Sequence, residues 1–330
     1  MRVLVAGGAG FVGSHVCQEL LMRGHHVIAL DNLCTGSMEN LADLTDSSNF
    51  EFIFADVAHA PMVDVDFIFH LASPASPVDY ERMPLETMSA NSLGTWRLLD
   101  IAASTGAKLT FVSTSEVYGD PLVHPQRETY WGNVDPVGPR SSYDESKRFG
   151  EALITSMRRM NGVRATIVRV FNTYGPRMRF NDGRVIPELV GNALAGRPLV
   201  LHGAGSQTRS FCYVSDLVSG LLLVGLDPDN EGEIFNLGNP EETTVRRLAE
   251  QIRDLIDPDL PIISTDARPG DPARRRPDIS RVHGRYGWGP SVGLADGVRL
   301  TIAAFRESRV AVPVRDLSAR DEDLAAVAGG

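Results

Sequence analysis

Lysine is almost missing from this chain. Its 330 residues include thirty arginines but only two lysines, Lys108 and Lys147. A position that stays lysine against such a bias needs a compact, rotatable ammonium, which a planar guanidinium cannot replace. Cysteine is scarce too: Cys17, Cys34 and Cys212 form no spaced cluster and leave an odd one. A disulfide framework and a thiolate metal centre are both excluded, no other metal-ligand spacing stands out, and reduced thiols are expected. Positive charge is outnumbered, 32 Lys and Arg against 42 Asp and Glu, for a net charge of −10 and a pI near 5.3. That argues against nucleic acid and anionic membranes as partners. An anionic small substrate stays possible, because it answers to the local field of a cleft. Long apolar runs are absent as well: Leu221-Leu-Leu-Val224 is far short of the ~20 residues a bilayer needs. The first strand begins at Arg2, which leaves no room for a signal peptide. A cytoplasmic protein is expected.

What is present looks like a soluble enzyme, with 43% hydrophobic and 22% charged residues and enough length for two lobes. Arg2-Val-Leu-Val-Ala6 is an apolar strand leading into Gly7-Gly-Ala-Gly10-Phe-Val-Gly13. A helical pattern follows from Ser14 to Arg23, then the strand His26–Leu30, ending at Asp31. In such a strand–turn–helix–strand unit Gly7 permits the tight turn, Gly10 lets backbone approach a pyrophosphate and Gly13 lets the helix pack closely. The phosphates belong at the helix start, beside Phe11 and Val12, where unpaired N–H groups favour negative charge. Asp31 can accept both ribose hydroxyls of an adenosine and would repel a 2′-phosphate, so NAD is expected over NADP. Asn32 flanks it, and a third strand, Phe50–Phe54, leads to Asp56 and Val57 near the adenine. A fourth, Asp66–Leu71, is followed by the loop Ala72–Pro77, whose Leu71 and Ser73 should border the nicotinamide at the strand's carboxyl end.

The chemistry is expected between Ser113 and Lys147. The β-branched run Leu109–Tyr118 predicts a buried strand that carries Thr114, Ser115 and Glu116. Paired serines, Ser141 and Ser142, then start a helix on which Tyr143 and Lys147 share a face. With seven tyrosines and two lysines in 330 residues, such a pair arises by chance in roughly 4% of sequences. An ammonium near a phenol favours the phenolate, which makes Tyr143 a base for a substrate hydroxyl.

Elsewhere, 84–105 predicts one long helix with Leu93, Trp96 and Leu99 at core-like spacing, and Gly162–Val170 a sixth strand. The alternation implies an α/β fold, a Rossmann-type doubly wound parallel sheet, with a smaller C-terminal lobe. The expected domains are 1–172, which binds NAD, and 173–310, which binds substrate. Within the latter, 214–238 returns to the main sheet through Glu233–Leu237. Expected elements of this lobe are a helix over Val185–Ala195, strands Pro198–His202 and Ser210–Tyr213, and helices Ser215–Leu226 and Thr243–Ile256. The stretch 311–330 predicts a flexible tail.

Three strings together resemble the extended short-chain dehydrogenase/reductase family: the glycine run 7–13, Ser113-Thr-Ser-Glu-Val-Tyr-Gly119 and Tyr143-x-x-x-Lys147. Longer ones narrow the resemblance to its UDP-glucuronate decarboxylase subfamily. They are His70-Leu-Ala-Ser-Pro-Ala-Ser-Pro77, Gly119–Gln126, Tyr130–Arg140, Asn181-Asp-Gly-Arg-Val185, Gly205–Phe211 and Arg275-Arg-Pro-Asp278. The resemblance runs from residue 2 to about 306.

It implies a redox-neutral reaction on a UDP-sugar. Tyr143 takes the C4 proton while hydride passes to NAD; the 4-keto uronate loses CO₂; protonation at C5 and return of the hydride give UDP-xylose. By resemblance Glu116 and Arg275 distinguish this reaction from its relatives, with Arg275 near the substrate carboxylate and helping to protonate C5. Read from residues alone, Arg274, Arg275 and Arg276 are an exposed charge run, and which of them acts stays open. Ser115 stands where 4,6-dehydratases carry an aspartate, and 4-epimerases generally lack the glutamate. The resemblance further implies Asn172, Arg209 and Arg184 as diphosphate contacts, and a homodimer through the helices at 84–105 and 141–160. The alternatives are release of a UDP-4-keto-pentose with NADH, a 4-epimerase or 4,6-dehydratase, and a non-catalytic NAD sensor.

Overall fold

Arg2–Ala6 and the strands after it are apolar on both sides, the pattern of a sheet covered by helices on each face. In the structure, a computed structural model that describes residues 1–266 and 274–311 (the last four by backbone only), that is their arrangement. Strands β1 (Arg2–Ala6), β2 (His26–Asp31), β3 (Phe50–Phe54), β4 (Phe67–His70), β5 (Lys108–Thr114) and β6 (Ala165–Val170) alternate with helices α1 (Phe11–Met22), α2 (Pro77–Arg82), α3 (Pro84–Ser89), α4 (Thr95–Thr105) and α5 (Ser141–Asn161). The second half adds β7 (Thr173–Tyr174), α6 (Val185–Leu194), β8 (Leu199–His202), β9 (Thr208–Ser210), β10 (Cys212–Tyr213), α7 (Val214–Leu226) and β11 (Ile234–Leu237). Beyond it lie β12 (Glu242–Thr244), α8 (Val245–Ile256), β13 (Ile262–Thr265), β14 (Arg274–Arg275), α9 (Ser280–Tyr286) and α10 (Leu294–Ala311).

The main sheet has seven strands in the order β11-β6-β5-β4-β1-β2-β3, all parallel. Ile234 pairs with Ile167 and Leu237 with Val170, so the late strand does rejoin the sheet. Alternate residues feed two cores, as the strand period requires. Val3 and Val5 pack with α1 and α7, whereas Leu4 and Ala6 pack with Leu98, Leu99 and Ile154 of α4 and α5. Each such side chain contributes ~1.5–3 kcal/mol by leaving water. Small sheets, β12-β9-β14, β10-β7 and β13-β8, build the rest. Among the described residues no helix is long and apolar enough to cross a membrane.

Several elements differ from expectation. The run 109–118 is a strand only to Thr114. There the Thr114 hydroxyl accepts from Glu116 N at 3.1 Å and turns Ser115–Tyr118 into a 3₁₀ turn. The long helix 84–105 is broken by a π turn at Ala90–Gly94. This shifts the helical phase: Leu99 stays buried, but Leu93 and Trp96 are 63% and 51% exposed and do not belong to the core. The turn buries Asn91, whose amide donates to Ser73 Oγ and Ser146 Oγ, both at 3.0 Å. The expected strand 210–213 divides at Phe211 into β9 and β10. The helix expected from Thr243 starts at Val245, because Thr243 and Thr244 belong to β12 and Thr244 caps α8 by accepting from Arg247 N. Helix α10 extends through Ala311; the tail expected beyond it lies outside the described residues.

Candidate active site

Ligands of a doubly wound sheet bind at the carboxyl ends of its strands, and here those ends open into one cleft of about 1350 Å³. The glycine run forms its floor. Gly7 has φ +84°, and a Cβ on Gly13 would stand 2.0 Å from Gly7 O, so neither position has room for a side chain. Gly10 caps α1 with no side-chain hydrogen bond, and the first turn holds no acid. Its N–H groups therefore face the cleft as an open anion site. These features fit a dinucleotide pyrophosphate beside Gly10, Phe11, Val12 and Gly13, all of which line the cleft. Leu71 and Ser73 line it from the end of β4, as expected.

Asp31, Asn32, Asp56 and Val57 do not line the main cleft; they lie at the tips of β2 and β3. Asp31 accepts from Ala9 N at 3.0 Å and Leu33 N at 2.8 Å, so it also holds the glycine turn in place. Asn32 donates to Asp56 at 2.8 Å. Val57 is buried, in contact range of the π turn at Gly94. Thr35, Ser37 and Asn40 line the cleft where no motif had pointed; Asn40 donates to Ala9 O at 2.9 Å.

Tyr143 and Lys147 meet at the carboxyl ends of β4 and β5. Lys147 Nζ donates to Val112 O at 2.9 Å and lies 4.8 Å from the Phe111 ring centroid. Burial pushes it down to about 7, against the opposing pull of Glu151. Burial, with the Glu116 carboxylate adding to it, pushes the Tyr143 phenol well above its ordinary range, and a hydrogen bond with Thr114 only partly offsets this. The Tyr143 ring stacks on Tyr80, 5.1 Å apart and nearly parallel.

Glu116 lines the cleft beside Ser115 and Thr114. Its Oε2 accepts from Arg140 Nε at 3.1 Å and Nη2 at 2.8 Å, and its Oε1 lies 3.6 Å from Arg275 Nη1. Burial alone would raise this carboxyl; Arg140 and Arg275 outweigh it and hold it below the usual carboxylate range. The three-arginine run is thereby resolved. Arg275 is 5% exposed and faces Glu116, Arg274 is exposed, and Arg276 reaches outward to Glu242 at 3.8 Å. Arg275 is not an exposed charge, because β14 pairs with β9 and turns it inward.

Of the expected diphosphate contacts, Asn172 and Arg184 line the cleft. Arg184 is tied to Asp182, its Nη2 at 2.7 Å. Arg209 does not line it; its Nη1 donates to Thr208 O, and it pairs in register with Arg275. Sequence reasoning missed Tyr80, Arg140 and Asp144. Arg140 lay inside a quoted string and Asp144 directly follows Tyr143, but only the fold shows both converging on Glu116. Among the described residues, no group of three His, Cys, Asp or Glu could hold a metal.

A model described as the NAD dependent epimerase/dehydratase family matches residues 3–238. UDP-glucuronic acid decarboxylase 6 of Arabidopsis thaliana is 48% identical over 314 residues, 95% of this chain and 91% of that protein. UDP-glucuronic acid decarboxylase 1 of Danio rerio is 47% identical over 304 residues, 92% of this chain and 72% of that protein. Among solved structures, UDP-glucuronic acid 4-epimerase from Bacillus cereus in complex with UDP-glucuronic acid and NAD superposes with a TM-score of 0.85 at 27% identity, covering 93% of this chain and 100% of that one. UDP-glucose 4-epimerase from Thermotoga maritima with UDP-glucose gives 0.85 at 30% identity, covering 93% and 99%.

Proposed function

Because the chain belongs to the NAD dependent epimerase/dehydratase family, we propose that it uses bound NAD to convert UDP-glucuronate into UDP-xylose and CO₂. The solved neighbours include epimerases, so fold alone does not select the reaction. The observation that carries it is Glu116 held between Arg140 and Arg275 beside Tyr143, in a chain nearly half identical to UDP-glucuronic acid decarboxylases.

NAD at the glycine run supplies the hydride acceptor for C4 and the donor that restores it. Tyr143 takes the C4 hydroxyl proton, with Thr114 holding the phenol and Lys147 beneath it. Their donors then face the C4 oxygen, where negative charge grows as CO₂ leaves a carbon next to the new ketone. Arg275 is buried against Glu116 and does not itself line the cleft, so its charge acts on the uronate carboxylate past Glu116. Ser115, a hydroxyl where dehydration needs an acid, disfavours loss of the C6 oxygen. Asn172 and Arg184, which line the cleft, hold the diphosphate, where a guanidinium fork suits phosphate oxygens.

Incubation with UDP-glucuronate or UDP-glucose, read by product mass spectrometry and NADH absorbance, tests this. The expected result is UDP-xylose from the uronate alone, without net NADH. NADH accumulating in step with CO₂ would instead mean release of the keto-pentose. Tyr143→Phe is expected to lower turnover by about 10²-fold or more while NAD still binds; near-normal turnover would refute its role as base.

The same reading includes a homodimer and a cytosolic setting. Leu85, Met88, Leu93 and Trp96 leave an apolar surface on the 84–105 segment, with Phe149 of α5 also exposed. A solvent-facing apolar patch of this kind marks an interface, which a second copy would cover.

A further inference from the structure

Glu116 has a second carboxyl against it. Asp144, buried on α5, makes a side-chain hydrogen bond to Glu116. Glu116 lines the cleft and Asp144 does not, so Asp144 stands behind it. Two carboxyls in hydrogen-bond contact share one proton, since both cannot ionise side by side. The surroundings say which holds it. Glu116 takes two N–H bonds from Arg140 and faces Arg275, the environment of a carboxylate. Asp144 Oδ1 is buried with no hydrogen-bond partner, a position an ionised oxygen tolerates poorly and a neutral carbonyl oxygen tolerates at far lower cost. Tyr80 from α2 and Tyr143 from Asp144's own helix complete the surrounding groups.

The geometry points to Asp144 as the proton store for the C5 step, feeding Glu116, which delivers the proton to the sugar. This rests on the decarboxylation reading. When CO₂ leaves, the C5–carboxyl electron pair passes into the enolate. Asp144 passes its proton along their hydrogen bond to Glu116, the carboxylate of the pair, and as the enolate returns to the ketone C5 bonds that proton from Glu116. The pair, now without its proton, is balanced by Arg140 and Arg275 and refilled from solvent, which matches the one proton that replaces CO₂ on C5. Asp144 touches no substrate and acts through Glu116. Burial and Glu116 push its carboxyl up to about 8, so the store is filled at neutral pH.

Asp144→Asn keeps a hydrogen-bond donor toward Glu116 and removes the proton store. In single-turnover experiments with UDP-glucuronate the variant is expected to form NADH normally. UDP-xylose should appear at least about tenfold more slowly at neutral pH, with the optimum moved toward acid. The wild type should lose rate above pH 8 or so. An unchanged rate and pH profile in Asp144→Asn would overturn the proposal, because a purely structural hydrogen bond survives this change. If the variant does not fold, infrared spectroscopy of the wild type decides. A protonated-carboxyl band present at neutral pH and lost as pH rises supports the store; absence of that band at neutral pH overturns it. A wild type that releases no CO₂ defeats the decarboxylation reading itself, whereas CO₂ release with an indifferent Asp144→Asn defeats only the store.

Discussion

Arg275 and Arg276 are neighbours in sequence and opposites in environment: one is buried against Glu116, the other partly exposed beside Glu242. Arg275→Ala is expected to lower CO₂ release by about 10²-fold with UDP affinity little changed, and Arg276→Ala to change the rate by less than about twofold. Loss of UDP binding in Arg275→Ala would make it a phosphate ligand instead. Asp144 gives a pH prediction whose sign is fixed by its shift. Its folded carboxyl titrates higher than its unfolded one, so its contribution to stability is present at low pH and lost as pH rises through about 8. Urea denaturation at pH 6 and pH 9 or so should show the wild type losing stability relative to Asp144→Asn. Tyr143 and Lys147 were legible because helical spacing alone makes them neighbours. Asp144, Arg140 and Tyr80 were not, since what they meet lies on other elements and a buried charge reads like any other charge in sequence.

At the scale of elements, the second lysine explains the composition. Lys108, fully buried at the start of β5, gives its ammonium to Val224 O, Gly225 O, Asp227 O and Asn230 Oδ1. It thereby satisfies carbonyls at the end of α7, which a helix leaves unpaired. Lys108→Met is expected to cost about 3 kcal/mol by orphaning those oxygens, measured by chemical denaturation. Gly13→Ala should cost about 3 kcal/mol and abolish the thermal shift on adding NAD, because its Cβ meets Gly7 O. The parallel strands were legible from apolar runs between turns. The π turn was not: Leu93, Trp96 and Leu99 fit an unbroken helical period, and only the buried amide of Asn91 reveals the shifted phase. Likewise β14 is two residues long and has no sequence signal; it exists because β9 offers a free edge.

For the whole molecule, the exposed apolar helices predict association. Trp96→Glu should convert a dimer into monomers in analytical ultracentrifugation while each subunit still binds NAD; a wild type that sediments as a monomer would refute the homodimer. The doubly wound architecture was readable because glycine spacing, strand alternation and the acid at Asp31 all agree. Asp31 also constrains attempts to redesign the protein. Its carboxylate holds Ala9 and Leu33 by their backbone N–H groups, so the residue that would screen out a phosphorylated ribose is also a strut of the loop beneath the diphosphate. Swapping it for a residue that welcomes NADP would loosen the grip on either coenzyme until another acceptor took over those two amides.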